Sequence, residues 1–176
     1  MNLFKRLSLV LLLAWLLPCQ AEGLSEGRIK SAYVLNFAKF VEWPSGTVWN
    51  DGKVTLCVVG SEVLEGVLGE LDGRKAGGRE LHVVQYATAD SDLGGCQVVF
   101  VGESEQRRFA SIIKSLGDTP ALTISDIEGF AEKGGCIGLR YRDNKIVFEV
   151  NLAAAQKSKL RLPSQLLNLA SYVFGR

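Results

Sequence analysis

Apolar residues fall along this chain in two rhythms. Between positions 25 and 42, Ile29, Tyr33, Phe37 and Phe40 recur at spacings of four, four and three, one stripe of a 3.6-residue period. The pattern predicts a helix over 25–42. Ser25 is a suitable N-cap, and Pro44 forces the end because the residue before a proline is driven out of the helical region. On this stripe Phe37 and Phe40 are expected in the core. Trp43, beyond it and next to the proline, is expected at the surface.

The second rhythm is the short unbroken apolar run. "KVTLCVVG" (53–60) and "CQVVFVG" (96–102) have no polar face, as in strands covered on both sides by a parallel sheet's helices. "ELHVVQYA" (80–87) and "PALTIS" (120–125) predict two more strands. "SEVLEGVLGEL" (61–71) and "SEQRRFASIIKSLG" (104–117) predict amphipathic helices between them, the second closed by Gly117. "CIGLRYRDNKIVFEVN" (136–151) predicts a hairpin turning at Asp143 and Asn144. Two helices are expected at the end, "NLAAAQKSKL" from 151 and "PSQLLNLASYV" from 163, with Pro163 in the first turn. Such alternation specifies an α/β fold: a three-layer-like sandwich with a mainly parallel sheet, helices on both faces and an antiparallel C-terminal hairpin.

Lys5 and Arg6 precede an uncharged run over 7–17 and then "PCQA". The run is shorter than the roughly 20 residues a spanning helix needs. Residues 1–21 therefore read as a secretory signal peptide cleaved after Ala21, and residues 22–176 as a single α/β domain. The rival reading is a lipoprotein signal acylated at Cys19, against which Pro18 stands where a small residue is expected. The mature protein is expected to be soluble and exported. A formal net charge of +1 offers no general attraction to nucleic acid.

Enzyme chemistry finds little support. "VVGSE" (58–62) and "FVGES" (100–104) place Gly and Ser where a strand meets a helix, but neither carries G-x-G-x-x-G or a P-loop lysine. Glu62 and Glu103 would repel a phosphate there. His82 is the one histidine, no C-x-x-C pair exists, and no G-x-S-x-G elbow is present. The chain reads as no enzyme, without cofactor or metal.

Past position 21 three cysteines remain, Cys57, Cys96 and Cys136. If the first two runs are neighbouring strands, Cys57 and Cys96 can pair, as a structural staple or as a redox-sensitive switch. The bridge would be worth about 4 kcal/mol on the chain-entropy model. Cys136 is left as a buried inert thiol, an intermolecular partner or an oxidation site.

"YVLNFAKFVEWP" (33–44), Cys57 in "LCVVG", Cys96 in "CQVVFV", "FEVNLAAAQKSKLRL" (148–162) and "SQLLNLA" (164–170) together resemble the YfiR family, over nearly all of residues 25–173. The resemblance implies a compact α/β sandwich with a disulfide at Cys57 and Cys96. It also implies a periplasmic negative regulator that binds the periplasmic domain of an inner-membrane diguanylate cyclase and represses it. Such a protein lowers c-di-GMP signalling and biofilm formation. An outer-membrane lipoprotein that sequesters the regulator, and a homodimer, are further partners to expect. Relatives often carry a second cysteine pair, whereas Cys136 stands alone here, and Pro163 replaces a common Ser. Candidates for partner contact are Trp43, Glu149, Leu160, Leu162, Leu166 and Leu169. The alternative is a periplasmic small-molecule-binding domain with its pocket near the sheet's carboxyl edge.

Overall fold

The computed structural model describes residues 25–61, 63–88 and 92–175. Residues 1–21, read above as a signal peptide and including Cys19, lie outside the described residues, as does Glu62. The helix α1 spans Glu26–Phe40, with the Ser25 hydroxyl accepting the Arg28 amide at 3.3 Å. It stops two residues short of the expected end. Val41 is already extended and buried, and Glu42 pairs backbone to backbone with Arg161 through two 3.0 Å hydrogen bonds. That bridge, rather than Pro44 alone, takes the chain out of the helix.

The strands are β1 (Val54–Val59), β2 (Lys75–Ala76), β3 (Arg79–Tyr86), β4 (Val98–Val101), β5 (Leu122–Ser125), β6 (Ile137–Arg142), β7 (Lys145–Asn151) and β8 (Tyr172–Phe174). They form one sheet in the order β2-β3-β1-β4-β5-β6-β7-β8. Pairing is parallel except for β2–β3 and the hairpin β6–β7. The hairpin turns on Asp143 and Asn144 at φ 49° and 59°, the left-handed pair that matches strand twist.

Every residue of β1 and β4 is buried, so the sheet must be covered twice. On one face Leu56, Val58, Phe100 and Ile124 pack beneath α1 and the segment carrying Leu160, Leu162 and Leu166. On the other, Cys57, Val59, Val99 and Val101 pack beneath α2 (Phe109–Leu116) and the Ile127–Phe130 loop. The remaining helices are short, α3 (Leu152–Lys157) and α4 (Ser164–Leu169).

Three expectations change. The 61–71 helix is a 3-10 segment, Val63–Leu71, in which Leu64, Glu65 and Gly66 take φ of 46°, 54° and 79°. Gly66 and Gly69 weaken a regular helix, while Val63, Leu68 and Leu71 still dock. The 104–117 helix starts only at Phe109. Ser104 does not cap it, because its hydroxyl accepts the Ser61 amide at 3.0 Å across the loop. The last helix ends at Leu169, and Tyr172–Phe174 instead extends the sheet. The aromatic and β-branched triplet suits a strand, and β7 offered a free edge. The Ser171 amide and hydroxyl both bond to the Phe148 carbonyl, each at 2.8 Å.

Two cross-links reinforce the fold, one within the sheet and one between α1 and the sheet. Cys57 in β1 and Cys96 before β4 form a disulfide with Cα atoms 5.8 Å apart, separated by 39 positions. Lys30 Nζ lies 2.7 Å from both Glu26 Oε1 and Asp126 Oδ2, pinning α1 to the end of β5. Burial by itself would lower the Lys30 pKa, but the bonds to Asp126 and Glu26 outweigh it and hold the pKa above the usual 10.5.

Lys30→Met strands Asp126, whose side chain is only 13% exposed, and should lower unfolding free energy by about 2–3 kcal/mol. Lys30→Met combined with Asp126→Leu should lose less than Lys30→Met alone, which urea denaturation of both variants decides. Because the folded pKa is raised, this contribution is complete at neutral pH and fades only as pH rises past 10.5 through the folded value. Separately, Cys57→Ser with Cys96→Ser should reduce stability by about 2–5 kcal/mol. An unchanged melting temperature for that double variant would contradict the staple.

Candidate partner-binding site

An apolar groove opens between α1, β7 and α4, with a volume near 230 Å³. Its floor is three rings, Tyr33, Phe37 and Phe148, with centroids 5.0–5.8 Å apart. The Tyr33 hydroxyl donates to the Ile146 carbonyl at 3.2 Å and fixes that ring. Leu166 closes the base, and the rims are Phe40, 54% exposed, and Leu169, 77% exposed. Asn36 and Gln165 supply polar flanks. Two large apolar side chains left in water on either side of an apolar slot make this the candidate interaction surface.

The local reasons are plain. Phe40 comes three positions after the buried Phe37, where α1 runs out beside the sheet, so its ring stays outside. This corrects its expected place in the core. Leu160 and Leu162 are 3% and 8% exposed, held inward by the Glu42–Arg161 bridge, and Leu166 is 5% exposed beneath the groove. As partner contacts Leu160 and Leu162 are therefore corrected to core residues. Leu169 alone of the four leucines stands out from the surface. The sequence reading missed Phe40 as a rim. Its flanking polar neighbours, Lys39 and Glu42, were the available signal.

The other candidates lie elsewhere. Trp43 is half-buried and meets Trp49 edge-on at 5.7 Å, while the Arg79 guanidinium sits 4.4 Å over Trp49. It belongs to the loop over the amino edge of the sheet, with its indole N–H buried and unpartnered. Glu149 is half-buried on the face of β7 opposite Phe148. Cys136 is 2% exposed, and burial pushes its thiol pKa up despite hydrogen bonding with Thr123. A thiol held neutral by burial is a poor nucleophile. His82 is exposed and 3.3 Å from Asp72, whose carboxyl is held low by the Val83 amide and by His82, with no nucleophile beside it.

The carboxyl edge, where open α/β sheets hold ligands, is packed shut between β1 and β4. A Cβ on Gly60 would lie 2.5 Å from Ser104 Oγ, and one on Gly102 would lie 2.6 Å from Val63 Cγ2. The cavities described away from the groove include two at the opposite, amino edge. One near 290 Å³ is lined by Thr123, Cys136 and Lys157, and one near 390 Å³ by Asn50, Cys96 and Gln97.

Solved structures share this architecture. An ABC domain in complex with L-Trp from Streptococcus pneumoniae superposes with a TM-score of 0.54 at 11% identity, over 73% of this chain and 57% of that one. A conserved domain protein from Vibrio cholerae gives 0.54 at 10% identity, over 69% of this chain and 54% of that one. The chain thus spans little more than half the length of either, and the likeness is one of fold. The family model DUF4154, described as YfiR/HmsC-like, matches residues 27–171, which contain the groove residues and all three described cysteines. The chain belongs to the YfiR/HmsC-like family.

Proposed function

We propose that this protein is a periplasmic repressor that binds the periplasmic domain of a membrane-bound diguanylate cyclase and holds it inactive, lowering c-di-GMP signalling. The observation that carries this reading is the Phe40–Leu169 groove on a chain of a regulatory family. Repression needs no chemistry from the protein. A partner bound preferentially in its inactive arrangement is shifted toward it, and an outer-membrane lipoprotein competing for the protein would relieve the shift. No described helix is long and apolar enough to cross a membrane, and a disulfide suits an oxidising compartment.

The groove would receive apolar side chains from the cyclase domain, with Phe40 and Leu169 as the exposed anchors. Aromatic and aliphatic residues at the centre of an interface carry most of its energy. The disulfide makes the interaction redox-sensitive by stabilising the sheet on which the groove is built.

Capture from solubilised membranes by the protein purified from the periplasm tests the reading. Wild type should retain a membrane diguanylate cyclase, and Leu169→Asp should weaken that retention at least about thirtyfold, as for a hot-spot residue. Reductant, or Cys57→Ser with Cys96→Ser, should also reduce it. Absence of any cyclase from the wild-type eluate, oxidised and reduced, would reject the repressor reading.

A further inference from the structure

Glu149 lies on the face of β7 opposite the apolar groove. Along β7, Ile146, Phe148 and Val150 are buried, while Val147, Glu149 and Asn151 are half-buried on the other face. Glu149 stands opposite Gly138 on β6 and opposite Tyr172 on β8, and side chains directly opposite share a face. On the β6 side Gly138 has no side chain; a Cβ placed there would meet Ala131 at 3.4–3.5 Å and Glu149 Oε2 at 3.9 Å. On the β8 side Tyr172 is 57% exposed and meets Phe174 edge-to-face at 4.6 Å.

A cation on this face is committed elsewhere. Arg140, two positions beyond Gly138 on β6, bonds Glu128 at 3.0 Å. Among the described residues, no hydrogen bond or ion pair reaches the Glu149 carboxylate. The carboxylate is thus left open to a cation from outside the chain. Beside it lie two aromatic rings, whose negative faces disfavour an anion and attract a cation. Carboxylate and rings together complement a guanidinium, which stacks on aromatic faces and pairs with carboxylates through its planar fork.

We propose that Glu149, Tyr172 and Phe174 form a receptor for an arginine side chain, or a lysine in its place, projecting from a protein partner. The proposal rests on the repressor reading above and extends it. Phe148 and Glu149 are consecutive, so the groove and this receptor occupy the two faces of one strand at the same end of the sheet. A partner straddling β8 inserts apolar side chains on one face and a basic side chain on the other. The apolar groove supplies binding energy and the carboxylate supplies register and partner choice.

The test uses the capture described above with cyclase affinity measured for each variant. Glu149→Gln keeps shape and removes charge, and should weaken binding about tenfold; Glu149→Lys should abolish it. Tyr172→Leu should weaken it about threefold, and wild-type affinity should fall as salt is raised. Melting temperatures of Glu149→Gln and wild type should coincide. A photocrosslinker, Tyr172→p-benzoylphenylalanine, should join the protein to a cyclase peptide containing Arg or Lys next to the linked residue. Loss with Leu169→Asp but wild-type affinity for Glu149→Gln, or a linked peptide without a basic residue, overturns the receptor and leaves the groove standing. Failure of wild type to bind any cyclase overturns both.

Discussion

Everything in this structure follows from a sheet whose central strands have no face for water. All of β1 and β4 is buried, so two layers must cover them, and the chain has few long helices to do it. One face is roofed by α1, a 3-10 segment and the leucines of 160–166, the other by α2 and a loop. The covering runs out toward β7 and β8. There Phe40 and Leu169 project on one side, and Glu149 and Tyr172 lie open on the other. The proposed interaction surfaces are thus the places where an α/β sandwich of this length exhausts its own apolar cover.

How much of this was legible in the sequence depends on what kind of signal each part sends. The apolar runs of β1 and β4 and the stripe of α1 are periodic over many residues, and they specified sheet, layers and helix placement. The family resemblance rested on motifs spread over the same elements, and the family match over residues 27–171 agrees with it. Short segments were misread where tertiary contacts decide conformation. Tyr172–Phe174 has no period to distinguish a last helical turn from a strand, and the free edge of β7 settles it. Leu160 and Leu162 looked like a surface because spacing along a chain does not reveal a pairing such as Glu42 with Arg161, 119 positions apart by subtraction of their numbers. Phe40 failed for the same reason in reverse: helical spacing places it near the stripe, but only the sheet's lateral limit shows that nothing lies beneath it.

The disulfide and the groove occupy opposite faces. Cys57 and Cys96 belong to the cluster under α2, while Tyr33, Phe37 and Phe148 floor the groove under α1. No side chain runs directly from one to the other. Their coupling must pass through β1 itself, where Leu56 and Val58 flank Cys57 and face the α1 layer. A bond that restrains β1 against β4 therefore acts on the groove through the stability of the whole sheet. Coupling of this kind is graded with stability and needs no second conformation of the groove.

That placement also separates the roles of the three cysteines. Cys136 sits at the start of β6, buried, its amide bonded to Thr123 Oγ1 at 2.9 Å and its thiol pushed toward the neutral form. Oxidising it would require local opening of the edge between β5 and β6, where only Ile124 and Ser125 pair with Ile137 and Gly138. The Cys57–Cys96 bridge, by contrast, forms between neighbouring strands already held by a parallel register of Leu56 to Val59 against Val98 to Val101. The register sets Cys57 opposite Val99, and the turn in which the Cys96 amide bonds the Leu93 carbonyl brings Cys96 to it, while Cys136 packs as an apolar residue. The disulfide therefore belongs to the central strands, while the groove and the proposed receptor lie at the sheet's far end, where a partner bound to them would not touch the bridge.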